Sequence, residues 1–208
     1  SVAGVFSIFF RFGLNHTVTV FQAKDEKNIS NNINIFALIF SAVGAIILIP
    51  FNIFASILCF GLSIFVMNQY NLLGLQKFKT YMWLAIFKGI ILVSVPILLY
   101  FLMDIPGVLL GIALSNFVIG FNFIKYINKN SLDFSIFKKN FSIIFHNFGV
   151  DAATNLPRVL DKLLIAPLLG FTLVGFYQFN IQILFGLELL PIALHSFLLS
   201  AESKRRQT

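Results

Sequence analysis

The chain alternates on the scale of whole helices: long apolar runs are separated by short polar breaks. Seven such runs occupy residues 2–23, 33–49, 53–73, 81–103, 105–124, 141–169 and 173–199. Each has roughly the 17–25 apolar-dominated residues that a bilayer core requires, or more. Pro50 closes the second run. Pro96, Pro157 and Pro191 lie within later runs, where a missing backbone donor kinks a helix. Unbroken runs of this length exclude a transmembrane β-barrel, whose strands alternate over about ten residues. The predicted class is therefore all-α, a polytopic transmembrane helix bundle of about seven spans.

Two runs carry a polar stripe. In residues 141–169, Asn147, Asp151, Asn155, Arg158 and Lys162 follow at spacings of four, four, three and four, which stacks them on one face of a single long helix. Thr154 and Asp161 fall in the same arc, and the opposite arc is apolar. In residues 2–23, Ser7, Arg11, Asn15, Thr19 and Gln22 repeat at four, four, four and three. A Lys or Arg at mid-helix costs about 2.5–3.5 kcal/mol on insertion scales, so such residues face a bundle interior or a wet cavity. Lys88 lies nearer the end of its run and can snorkel. Glu188 and His195 are seven apart and share a face of the last run, with Tyr177 and Asn180 near it.

The loop charges orient the runs. Lys24 and Lys27 follow the first, Lys77 and Lys79 the third, and Lys125, Lys129, Lys138 and Lys139 the fifth; Lys204, Arg205 and Arg206 end the chain. These are eleven of the fifteen basic residues, and all fall on one side of the seven-run count. The positive-inside rule makes that side cytoplasmic, with the C-terminus. The expected location is the cell (cytoplasmic) membrane. With seven spans Ser1 lies outside, and a chain that starts there without Met or a signal peptide is expected to lack an earlier span. The expected organisation is a five-span first-lobe bundle at 1–127, a cytoplasmic linker at 128–140, two spans opening a second lobe at 141–200, and a basic tail at 201–208.

Composition agrees with a membrane chain. The hydrophobic fraction is 58% and only 11% of residues are charged, against about 45–50% and 25% in soluble domains. The net charge of +7 is accounted for by the loops and does not point to nucleic acid. A single cysteine, Cys59, permits no internal disulfide and no metal motif. No Ser/His/Asp set, paired-carboxylate loop or phosphate-binding loop is present, so neither an enzyme nor a cofactor is expected. The three histidines are dispersed, and bundle packing is the simplest reading of them.

Arg158 and Lys162 are one turn apart, so both cations can converge on one phosphate-rich anion. The alternative is that Arg158 pairs with Asp161 and Lys162 with a neighbouring helix. Arg11 would line the same cavity, or be a structural arginine paired with Asp151 or Glu188. Asp151, Asp161 and Glu188 are candidates for coupling to H+ or Na+, because buried carboxylates change pKa readily; neutralising the nearby cations is the simpler role.

Residues 161–177, DKLLIAPLLGFTLVGFY, resemble the seventh-span signature of the polysaccharide-transporter (oligosaccharide, O-antigen) flippases. Residues 72–81, LLGLQKFKTY, resemble the turn before that family's fifth span, and residues 188–203, ELLPIALHSFLLSAES, resemble its next span. The family belongs to the superfamily of multidrug and oligosaccharidyl-lipid exporters. The resemblance implies two six-helix lobes around a cavity that alternates between leaflets. It also implies a polyprenyl-(pyro)phosphate-linked oligosaccharide as cargo, for surface polysaccharide or glycoconjugate assembly, and contact with polysaccharide assembly proteins. On that reading the first five runs match spans two to six of the family, and the last two open the second lobe. The site residues implied are Arg11, Asn15, Asp151, Asn155, Arg158, Asp161 and Lys162. A cation-coupled multidrug exporter and a non-transporting membrane scaffold from a truncated gene are the alternatives.

Overall fold

The computed structural model describes residues 2–127, 133–170, 172–181, 183–184 and 187. Glu188, His195, most of the seventh apolar run and the basic tail lie outside the described residues, as does Lys129 of the linker. Among the described residues the chain is helical, with no strand. Two compact units form, Ser1–Val159 and Leu160–Thr208.

In the first unit, α1 (Val2–Arg11), α2 (Leu14–Ala23), α3 (Lys27–Leu48), α4 (Ile53–Gly74) and α5 (Phe78–Gly120) are followed by a 3-10 turn (Phe121–Tyr126), α6 (Phe134–Lys139) and α7 (Phe141–Asn155). Helix α4 is central and packs against α1, α2, α3 and α5. One apolar core joins Leu14, Val18 and Phe21 of α2, Phe36 of α3, Met67 of α4 and Ile144 of α7.

Among the described residues three helical stretches are long and apolar enough to cross a membrane: Lys27–Leu48, Ile53–Gly74 and Phe78–Tyr126. The last is the most apolar, and little of its most apolar stretch is buried. Val93 is 61% exposed and Phe101 79%, a surface suited to lipid and not to water. These helices mark a membrane protein.

Two runs that read as single helices are interrupted. Residues 2–23 form two ten-residue helices, because Phe12 (φ 47°) and Gly13 (φ 70°) take left-handed conformations between them. Residues 141–169 form α7 and α8 (Pro157–Leu169). Leu156 keeps helical dihedrals and donates to the Ala152 carbonyl, but Pro157 has no N–H to continue the ladder.

The fourth and fifth runs form one element that folds back on itself at Asp104 (φ 55°, ψ −139°). Its two arms are antiparallel: Gly107 faces Leu99, Gly111 faces Pro96, and Ser115 Oγ donates to the Ile91 carbonyl at 3.2 Å. A Cβ on Gly111 would lie 2.5 Å from Pro96 Cα. The small-xxx-small pair thus lets two backbones touch.

The turns after α2 and α4 are alike. Asp25 (φ 57°) and Gln76 (φ 56°) are left-handed, and Glu26 and Lys77 donate back to the Phe21 and Leu72 carbonyls at 3.0 Å. These are Schellman-type stops. Buried amides join the same end of the bundle. Asn34 and Asn71 exchange bonds of 3.0 and 2.8 Å, Gln22 donates to Asn71 at 2.9 Å, and Asn34 reaches the Tyr126 carbonyl at 3.4 Å. The sequence pattern left Asn32 and Asn34 at the margin of a span, yet both are fully buried. Asn32 accepts from the Asp133 amide at 2.7 Å and so ties the linker to α3.

Adding a methyl at Gly111 overpacks the hairpin, which costs about 1–3 kcal/mol, whereas a Cβ at Gly89 meets nothing within 4 Å and adds about 0.5–1 kcal/mol of helix preference. Thermal unfolding in neutral detergent is therefore expected to rank Gly89→Ala above wild type and Gly111→Ala below it. The reverse order would contradict the hairpin register.

Asp133 caps α6, accepting from the Ser135 amide at 2.8 Å. Bonds from the Ser135 hydroxyl and amide hold its carboxyl below its ordinary value. The cap is therefore complete above the ordinary carboxylate range and is lost as pH falls through the lowered value. The Ser135 amide resonance is expected to titrate there, and Asp133→Ala to abolish that titration.

Candidate functional site

The break at Phe12–Gly13 abuts α7. A Cβ on Gly13 would sit 2.7 Å from both the Ile144 carbonyl oxygen and the Asn147 carbonyl carbon, so this position requires glycine twice, for its φ and for its space. Asn147 Nδ2 donates to Thr17 Oγ1 at 2.9 Å beside it. Close backbone approach brings the polar faces of α1, α2 and α7 into one cluster.

Asp151 is its centre, 1% exposed. Its carboxylate accepts from Asn155 Nδ2 at 2.9 Å and from Asn15 Nδ2 at 3.4 Å. Arg11 Nη2 lies 3.6 Å away and His16 Nε2 3.5 Å. Arg11 also donates to Ser7 Oγ at 3.5 Å, and Tyr70 Oη of α4 stands 3.5 Å from His16 Nε2. The placement suits the helix dipoles. Arg11 occupies the last turn of α1, and Asp151 lies against side chains of the first turn of α2; a cation is favoured at the C-terminal end and an anion at the N-terminal end.

The cluster is not fully saturated. Arg11 Nε, Asn15 Oδ1 and Asp151 Oδ2 are buried without a hydrogen bond, and the Arg11–Asp151 approach of 3.6 Å is an ion pair longer than a hydrogen bond. Leaving a buried polar atom unmatched costs about 1–3 kcal/mol. The pair is therefore a contact held by charge and packing, with donor and acceptor capacity left over.

Four of the expected site residues, Arg11, Asn15, Asp151 and Asn155, come together here. Arg11 meets Asp151, which was one of its two structural alternatives. The side chains of Arg158 and Lys162 lie outside the described residues, as does Glu188. Asp161 belongs to the second unit, where it accepts from the Tyr177 hydroxyl. Thr19 and Gln22 do not join the cluster: they bond the Tyr70 carbonyl and Asn71 of α4. Lys88 caps the ring of Phe65, 3.4 Å from its centroid, a cation–π contact that gives its charge a partner within the bundle. His146 is exposed. The periodicity missed His16 and Tyr70, because neither lies on a stripe.

No protein-family model, no curated protein and no solved structure matches this chain.

Removing one partner of a buried pair strands the other charge and costs about 3–5 kcal/mol. Asp151→Asn and Arg11→Gln are each expected to lower the thermal midpoint in neutral detergent. The double substitution should cost less than the sum of the two. Strict additivity would mean that the two groups do not interact.

Proposed function

We propose that this membrane protein is a transporter that flips a polyprenyl-(pyro)phosphate-linked oligosaccharide across the cell membrane, for assembly of a surface polysaccharide or glycoconjugate. The observation that carries this reading is the buried Arg11–Asp151 pair at an interrupted helix. Repeat-built transporters place substrate sites at broken helices near the midplane, where helix ends supply fixed partial charges. In the proposed seven-span arrangement, α1 and α2 cross the bilayer together and Arg11 sits near half depth.

The proposed mechanism is exchange of partners. In the resting state Asp151 neutralises Arg11. A phosphate-rich headgroup entering the cavity competes for the guanidinium, while the carboxylate keeps its bonds to Asn15 and Asn155. Protonation of Asp151, or an ion bound there, would weaken its hold on Arg11, which provides a route for a H+ or Na+ gradient to act. Asp161 and Glu188 remain secondary candidates for that role. The polyprenyl tail stays in the lipid alongside the helices. The cationic character of both stripes favours an anionic cargo over the drug cations of the related exporters.

The burial of Arg11 against Asp151 also favours a second reading, a closed scaffold whose charges only hold helices together. The two differ in access to water. In a Cys59→Ala background, Asn155→Cys is expected to react with an impermeant thiol reagent if the cluster opens to a cavity, and to stay unlabelled in a scaffold. For flipping itself, the measurement is translocation of a fluorescent lipid-pyrophosphate oligosaccharide in proteoliposomes. A charge-assisted contact contributes about 1.5–3 kcal/mol, so Arg11→Ala and Arg158→Ala are each expected to slow translocation by about tenfold or more. Unchanged rates in both would refute the anion site.

A further inference from the structure

The lysine-bearing end of the first unit carries a pocket remote from the Arg11–Asp151 cluster. The turns after α2 and α4 and the 3-10 turn meet at this end, held by the bonds among Gln22, Asn34, Asn71 and the Tyr126 carbonyl. Between them lies a concavity of about 490 Å³, lined by Gln22, Lys27, Asn28, Asn31, Lys125 and Tyr126, together with Leu75. Lys125 and Tyr126 also line a second pocket of about 230 Å³, to which Lys77 and Asn122 contribute. Neither lining contains a carboxylate.

Lysines that serve only to orient a membrane protein have no need of a shared concave site, because the positive-inside effect depends on loop charge alone. Here Lys27 enters from the start of α3 and Lys125 from the 3-10 turn, and they line one pocket with three amide side chains and a phenol. That chemistry, two ammonium groups and neutral donors with no fixed anion, is suited to a phosphate group. The nearest competitor is Asp25, whose carboxylate lies 3.4 Å from Lys27 Nζ; both are largely exposed, and such pairs contribute little. The volume exceeds that of a phosphate alone and leaves room for a headgroup. Thr80 and Leu84 of α5 line the second pocket, which shares Lys125 and Tyr126, and the apolar exposed surface of α5 would accept acyl chains. Basic pockets between helices at a membrane's cytoplasmic face are sites of this kind.

We propose that the pocket between Lys27 and Lys125 binds a phosphate headgroup, supplied either by an anionic phospholipid of the surrounding bilayer or by a soluble phosphate. The site does not rest on the transport reading: it holds for a scaffold as well as for a flippase.

The test uses the full chain in phosphatidylcholine nanodiscs containing a minor fraction of phosphatidylglycerol. Native mass spectrometry reads the lipid retained on the protein, and a parallel titration reads inorganic phosphate binding in discs of pure phosphatidylcholine. Three proteins are compared: wild type, Lys27→Gln/Lys125→Gln, and Lys138→Gln/Lys139→Gln as a control with equal charge loss outside the pocket. The expected result is retention of phosphatidylglycerol by wild type and the control, reduced at least about tenfold in the pocket variant. Phosphate binding that follows the same pattern, with no lipid retained, would support the site and assign it to a soluble ligand. Equal retention by all three proteins, or no retention and no phosphate binding by wild type, would overturn the proposal. The Lys27 and Lys125 side chains are exposed, so the pocket variant is expected to fold, and unchanged thermal unfolding checks this.

Discussion

A carboxylate in the middle of an apolar bundle has to be matched, and the first unit is arranged around matching Asp151. The residue is nearly inaccessible, and an unpaired charge there would be worth several kcal/mol of destabilisation. Asn155 of its own helix donates to it, and its other partners come from elsewhere: Arg11 from the end of α1, Asn15 and His16 from the start of α2. An unbroken helix through residues 11–16 would not place a C-terminal cation and an N-terminal turn side by side. The left-handed pair Phe12–Gly13 does so, and Gly13 alone is small enough for the break to lie against the backbone of α7. Helix interruption, charge pairing and close packing are thus one arrangement.

The polar interior is divided into two layers with different chemistry. At the lysine-bearing end the linked groups are neutral amides: Asn34 and Asn71 exchange bonds of 3.0 and 2.8 Å, and Gln22 donates to Asn71 at 2.9 Å. Such a network is short-ranged and directional, and it fixes α2, α3 and α4 in register. Around Asp151 the groups are ionic, the distances are longer, and three polar atoms carry no hydrogen bond. Asn34 and Asn71, with both amide groups engaged, resist rearrangement, whereas a charge cluster with spare capacity can change partners at lower cost. The anchoring layer and the candidate working layer are therefore stacked along the same helices, with Tyr70 one residue from Asn71 at the junction.

The outer surface completes the division. Helix α5 turns back at Asp104 and seals its own arms through Gly107 and Gly111, so it presents an almost wholly apolar exterior. Between Lys79 and Asp104 the one charged residue is Lys88, and it folds inward onto Phe65. Lipid-facing, amide and ionic regions differ in how far their polar groups lie from water, and the deepest charges are set beside opposite charges.

Of the seven spans the sequence predicts, three helices among the described residues are long and apolar enough to cross a membrane. By itself the sequence determined the all-helical membrane class, the reversal at Asp104, and the angular grouping of Arg11 with Asn15 and of Asp151 with Asn155. Those properties follow from local periodicity and from the cost of apolar surface in water, which each segment carries alone. Only the tertiary structure decided that residues 2–23 break at Gly13, that Arg11 is neutralised by Asp151, that His16 and Tyr70 join it, and that Asn34 pairs with Asn71. A helical pattern gives a side chain's direction around one axis but says nothing of which neighbour meets it. Pairing, desolvation and left-handed backbone are set by that neighbour, here the backbone of α7 pressed against a glycine.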